Sequence, residues 1–362
     1  MKLPDYLENE VLSSRITLLK DSIGFLHSNP DTEHFVSLAL KALTETSDMI
    51  KKSAITKDET AKDGFWVAAD KVIRDISEDA SLFFMFQNSL DNKKWKSLAN
   101  FSNRCSEHMG LKNNPSVVLY GSSNFSASGP PNATGVFRKD EDSYSLVVID
   151  HSLDALLWPS VVHEISHLLP SIDCLVDNLY YSSGLSKHVN IDEGISKLTE
   201  VVCDSLATSI IGPAYPLSFY SQYYQTFGQN MLLTHPTDEF RMKLMIETLR
   251  SNNQEKYAKS LHDLLANRSG KSWEDDKLAN YIDNIISQAR KMVPKKSTKA
   301  FRENISFEEF ENDPPGNIYA LFNEGWSIVA SHYTGYPSAY KAISKKIFNT
   351  LKRDALPLYA FA

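Results

Sequence analysis

Apolar residues recur at helical spacing along most of this chain. Val11 to Leu26 carries them three and four apart and stops at Asn29-Pro30; Phe35 to Ile50 and Phe65 to Phe86 repeat the pattern. Lys93 to Met109 is a further amphipathic candidate, closed by Gly110. The texture changes at Asn114. Val117 to Tyr120, Ala133 to Arg138 and Tyr144 to Ile149 are short runs rich in Val, Tyr and Phe, bounded by turn residues, and they predict three strands. Ser122 to Pro131 reads as a loop and Asp140-Glu141-Asp142 as a hairpin connection. Helical spacing returns after Asp150, in Pro159 to Leu169, Asp192 to Ile211, Glu239 to Arg250, Gln254 to Ala266, Leu278 to Met292, Ile318 to Tyr333 and Ser338 to Leu351. A charged, turn-rich stretch from Val293 to Gly316 connects the last groups. The order of helices, small sheet and helices predicts an α+β, mainly α protein. It divides into an N-terminal helical region (1–114), a central core (115–250) and a C-terminal helical lobe (251–362).

Composition narrows the function classes. The chain has 362 residues, 42% of them hydrophobic and 23% charged, which is enough to bury a full core and is unlike a disordered chain. A net charge of −7 argues against an extended phosphate-binding surface, so no nucleic-acid partner is expected. The most apolar stretch, Val201 to Tyr220, contains Asp204 and two prolines and reads as buried core rather than a membrane span. MKLPDYLENE has no cationic start followed by an apolar segment, which predicts a cytoplasmic protein. Cys105, Cys174 and Cys203 are too few and too irregular for a disulfide framework and read as buried thiols.

Residues 163 to 167 are His-Glu-Ile-Ser-His. Positions i and i+4 share one helical face, so His163 and His167 can aim two imidazoles at one metal. Glu164 lies about 100° around the axis, beside the metal's open position rather than on the metal. This is what a zinc hydrolase needs: nitrogen ligands, an open coordination site and a base next to it. Two histidines leave the ligand set incomplete. Glu200 and Asp204, again i and i+4, suit a third ligand and an acceptor that fixes a ligand histidine's outer N–H. Asp173, six residues after His167, is the rival third ligand, although Pro170 stands where the compact variant of the motif needs a glycine. Glu193 and His188 are further alternatives.

Four segments, in this order, resemble the gluzincin metallopeptidases, most closely the group of CAAX-prenyl endopeptidases and their soluble relatives. They are Asn132-Ala133-Thr134-Gly135, the strand Leu146 to Ile149, His163 to His167, and Glu200-Val201-Val202-Cys203-Asp204. His235-Pro236 followed by Arg241 is a fifth. The resemblance covers about residues 115 to 245, and the chain departs from the group's membrane-embedded members by having no transmembrane helices. It implies a zincin-type catalytic lobe and one zinc per chain, held by His163, His167 and Glu200. Asp204 would support a ligand histidine and Glu164 would act as general base. His235, or a nearby tyrosine (Tyr223 or Tyr224), would hydrogen-bond the oxyanion, the alternative for His235 being a structural place beside Arg241. Asn132, Ala133 and Thr134 would bind an extended peptide along an edge strand. The flanking helical regions would wall the cleft and restrict access. The function implied is a restricted-specificity endopeptidase acting on peptide or protein substrates. A catalytically silent binding or scaffold protein, and an exopeptidase or modifier-removing protease, are the alternatives.

Overall fold

The computed structural model describes residues 5–24, 30–90, 95–111, 116–120, 126–128, 146–150, 155–182, 185–187, 189–221, 235–266, 278, 280–293, 301–331, 337–352 and 356–358. They form two compact units. The first comprises Met1–Trp95, Ser116–Gly121 and Ser128–Val148; the second comprises Lys96–Pro115, Ser122–Ala127 and Ile149–Ala362. Residues 96–115 thus belong with the unit that carries the His-Glu-x-x-His segment, and residues 251–362 share that unit.

The first unit is three helices packed on one another: α1 (Asp5–Gly24), α2 (Pro30–Ile55) and α3 (Glu59–Leu90). Their apolar stripes meet in a core that includes Ile16, Ile23, Phe35, Leu43, Trp66 and Ile73. Pro30 opens α2, where its missing N–H leaves no bond unmade.

The second unit begins with α4 (Trp95–Met109), of which Trp95 itself falls in the first. It continues through α5 (Pro159–His167), α6 (Ser171–Ser182), α7 (Ile191–Ile211), α8 (Ala214–Phe219), α9 (Asp238–Ser251), α10 (Glu255–Ala266), α11 (Ile282–Met292), α12 (Phe307–Asn312), α13 (Ile318–Ser331) and α14 (Pro337–Leu351). Helix α7 is central: α5, α6, α9 and α11 all lie against it. From Glu200 to Ile211 every residue of α7 is buried, as expected of a helix surrounded by others. Its start is fixed by Asn190, whose side chain accepts from the backbone N–H groups of Asp192 and Glu193 at 2.8 and 3.3 Å. Its end is fixed by Gly212 at φ +74°, a conformation that favours glycine. A Cβ there would also lie 2.7 Å from the Tyr319 hydroxyl.

The α+β expectation is overturned: the described residues are overwhelmingly helical, and helices build the fold. Among the described residues, strand is confined to β1 (Ser116–Tyr120), β2 (Ser126–Ser128) and β3 (Leu146–Asp150), of five, three and five residues. Three strands of this length make a patch too small to form a layer of the fold beside so many helices. The runs at Val117 to Tyr120 and Leu146 to Ile149 are strands, and β3 pairs between β1 and β2, but the cores are assembled by helices. The strand expected at Ala133 to Arg138 lies outside the described residues, as does the hairpin at 140–142. Ser126–Ser128, read as loop, is strand. Helices α6, α8 and α12 go unpredicted: Pro170 limits one helix but also lies just before another, α8 falls within the stretch expected only as buried core, and α12 falls within the stretch 293–316 expected as a connection. Cys105 and Cys203 are buried, but Cys174 is exposed.

Two glycines set close helix packing. A Cβ at Gly194 would sit 2.5 Å from Cε2 of Tyr180. That buried ring is tied down by its hydroxyl, which donates to the Val189 carbonyl at 2.7 Å. At Gly325 the nearest atoms, 3.0 and 3.1 Å away, are methyl ends of Ile347 and Ile343, which can shift. Alanine gains about 1 kcal/mol over glycine in a helix. Gly194→Ala is therefore expected to destabilise by about 1–3 kcal/mol. Gly325→Ala should stay within about 1 kcal/mol of wild type. Urea midpoints measure both.

Candidate metal centre

Helix α5 is only nine residues long, too short to stand alone, and packing against α7 and α8 holds it in place. Pro159 begins it and Pro170 follows its end, so both histidines lie on a short rod facing α7. Oxygen contacts tie it further to α8: Ser160 Oγ lies 3.2 Å from Ser218 Oγ, and Ser218 Oγ donates to the Leu157 carbonyl at 3.1 Å.

Three donor groups converge here. His163 Nε2 lies 3.1 Å from His167 Nε2 and 3.2 Å from Glu200 Oε2, and His167 Nε2 lies 3.6 Å from Glu200 Oε1. Among the described residues, His163, His167 and Glu200 are the one group of three such side chains whose ligand atoms all lie within 4.8 Å of one another. Donors arranged tetrahedrally about 2.0–2.1 Å from a small cation are about 3.3 Å apart. The observed spacings bracket that value, so this donor set fits a small divalent ion.

Asp204 lies one turn beyond Glu200 and is fully buried. Arg241 donates to it twice, from Nε to Oδ2 at 2.7 Å and from Nη2 to Oδ1 at 2.9 Å. The Tyr215 hydroxyl donates to Oδ1 at 2.5 Å, and His163 Nδ1 lies 2.9 Å from the same oxygen. A buried carboxylate is costly unless so surrounded. Burial alone would raise its pKa, but Arg241 and His163 hold it well below the usual carboxylate range. Arg241 also lies 3.5 Å from Glu200 Oε2 and stacks 4.7 Å over the Phe219 ring.

The same charges act on the other groups. Burial works to depress the His163 imidazolium, but Asp204 and Glu200 outweigh it and lift its pKa to about 10. Burial, reinforced by the charge on His163, lowers His167 to about 4. Burial opposes ionisation of Glu200, yet His163 and Arg241 bring it down to about 2. Glu164, partly buried beside this cluster, is raised to about 7, mainly by burial and with help from Glu200.

The remaining candidates separate clearly. Asp173 is exposed on α6 and is not in the cluster. Glu193 pairs with Lys197 at 2.9 Å instead. His235 is half-exposed just before α9, with Nε2 3.3 Å from Glu200 Oε1. His188, Asn132, Ala133, Thr134, Tyr223 and Tyr224 lie outside the described residues. Tyr215 lies in the apolar stretch Val201 to Tyr220, which the sequence marks only as buried core. The available signal was the Gly212-Pro213 turn, which reverses the chain so that a residue eleven positions after Asp204 returns to it. Comparison with protein-family models, with characterised proteins and with solved structures finds no match to the chain. No family is assigned.

The His163 pKa has a sign that can be tested. A group lifted from 6.5 to about 10 on folding contributes stability that is complete below pH 6.5 and disappears as pH rises through about 10. In chelator-treated protein, the unfolding free energy of wild type relative to His163→Gln should shrink steadily across that window. Urea titrations at several pH values measure it.

Proposed function

We propose that this chain is a zinc-dependent peptidase of the gluzincin type, with restricted endopeptidase specificity. The observation that carries the reading is the convergence of His163, His167 and Glu200 beside Glu164. Two imidazoles and a carboxylate suit zinc and leave a coordination position open. Bound there, zinc would supply a Lewis acid that polarises a substrate carbonyl and makes water nucleophilic at neutral pH. Glu164 accepts the proton of the attacking water at its carboxylate and delivers it to the leaving amine. Its burial keeps it close to the working pH, where a base both takes and returns a proton efficiently. Asp204 and Arg241 hold the His163 ring in place. His235, half-exposed with Nε2 3.3 Å from Glu200 Oε1, is a candidate to donate to the oxygen that gains charge.

The test pairs metal analysis with peptide hydrolysis. Wild type should carry about one zinc per chain, as a three-donor catalytic site does. Glu164→Gln should keep the metal while hydrolysis falls by about 10²–10⁴-fold. Unchanged hydrolysis by that variant, or a wild type without stoichiometric metal, overturns the reading. A metal-loaded Glu164→Gln indistinguishable from an already inactive wild type would favour the scaffold alternative.

Metal uptake should also displace a proton. His163 is protonated at pH 7.5 and the other two ligands are not. Zinc binding should therefore release about one proton, and affinity should weaken as pH is lowered. Calorimetry in buffers of different ionisation heat measures the release.

A further inference from the structure

We propose that Tyr215 is a positioning residue that holds His163 in the tautomer with hydrogen on Nδ1, leaving the Nε2 lone pair for a cation. The inference rests on reading His163, His167 and Glu200 as a cation site, and it adds a hydroxyl that such a site does not require. A hydroxyl has one hydrogen to give. Tyr215 lies 2.5 Å from Asp204 Oδ1 and 3.1 Å from His163 Nδ1. The shorter bond goes to a carboxylate, where a charge-assisted donor is strongest. Towards His163, Tyr215 therefore presents only a lone pair. Asp204 Oδ1, 2.9 Å from the same nitrogen, also offers only lone pairs. With acceptors on two sides, Nδ1 must carry the hydrogen. The Tyr215 ring lies nearly parallel to the imidazole, 17° between planes and 6.1 Å between centroids, which limits ring rotation.

What holds Tyr215 is a turn secured from a distant part of the chain. Asn323, buried on α13, accepts from the Ala214 N–H at 2.8 Å through Oδ1. Its Nδ2 donates to the Ile211 carbonyl at 2.7 Å and to the Tyr319 carbonyl at 2.8 Å. The 211–214 turn cannot drift without breaking these bonds. Residues more than a hundred positions along the chain thereby set the position of the hydroxyl.

The experiment compares zinc dissociation constants, by competition with a chromophoric chelator, for wild type, Tyr215→Phe, Asn323→Ala and the exposed control Tyr181→Phe. Tyr215→Phe is expected to weaken binding about tenfold. Asn323→Ala should weaken it in the same direction by a smaller factor, and Tyr181→Phe should match wild type. A folded Tyr215→Phe that binds zinc within about twofold of wild type overturns the proposal. Long-range ¹H–¹⁵N spectra of histidine-labelled, chelator-treated protein, at a pH where the ring is neutral, test the tautomer without metal. Wild type should show Nδ1–H at His163, and a wild type showing Nε2–H overturns the proposal even if Tyr215→Phe fails to fold. Failure of wild type to bind zinc while Nδ1–H is observed would sink the cation site and leave the Tyr215 assignment standing.

Discussion

One sealed carboxylate organises the site-bearing unit. Asp204 has no exposed surface, and an ion of its size left unpartnered in a protein interior costs several kcal/mol. Its partners come from three other helices: His163 on α5, Tyr215 on α8 and Arg241 on α9. None of these helices can move far from α7 without leaving that charge exposed to an apolar interior. The requirement to surround Asp204 is therefore also what fixes the direction in which His163 points. Arg241 meets the same demand from the other side, balancing its own buried charge with Asp204, Glu200 and the face of Phe219.

Two acids one turn apart on α7 consequently have different work. Asp204 is locked by its donors and stays ionised. Glu200 faces two imidazole nitrogens, with His235 close by. The C-terminal helices take part in this arrangement too. Asn323 secures the turn that carries Tyr215. Its neighbour Glu324, also buried, accepts from the backbone and guanidinium of Arg302 and so ties residues 301–313 to α13.

Much of the site was legible because its spacing is helical. His163 with His167, and Glu200 with Asp204, are each i and i+4 pairs, and a helix turns such pairs onto one face whatever surrounds it. Glu164 follows from the same geometry. The helices of the first unit were legible for a like reason, as were α5, α7 and α9. The strands misled. Four-residue apolar runs such as Leu146 to Ile149 give a correct local pattern, but architecture depends on how many such runs pair and what covers them, and a short run carries neither fact. Proline misled as well: Pro170 stops α5, yet α6 starts at the next residue, because a residue that blocks a helix's continuation is tolerated at the beginning of another.

The sequence by itself determined that two imidazoles would face the same way from α5, with a carboxylate about 100° around the axis beside them, and that two acids would share a face of α7, since covalent geometry and the helical repeat are local. Only the tertiary structure decided that these two faces meet, that Glu200 rather than Asp173 stands beside the histidines, and that Asp204 is shared by Arg241 and Tyr215. Those outcomes depend on packing between segments tens to more than a hundred residues apart. There the burial of one charge is tolerated only if distant donors arrive together, and no local pattern records that condition.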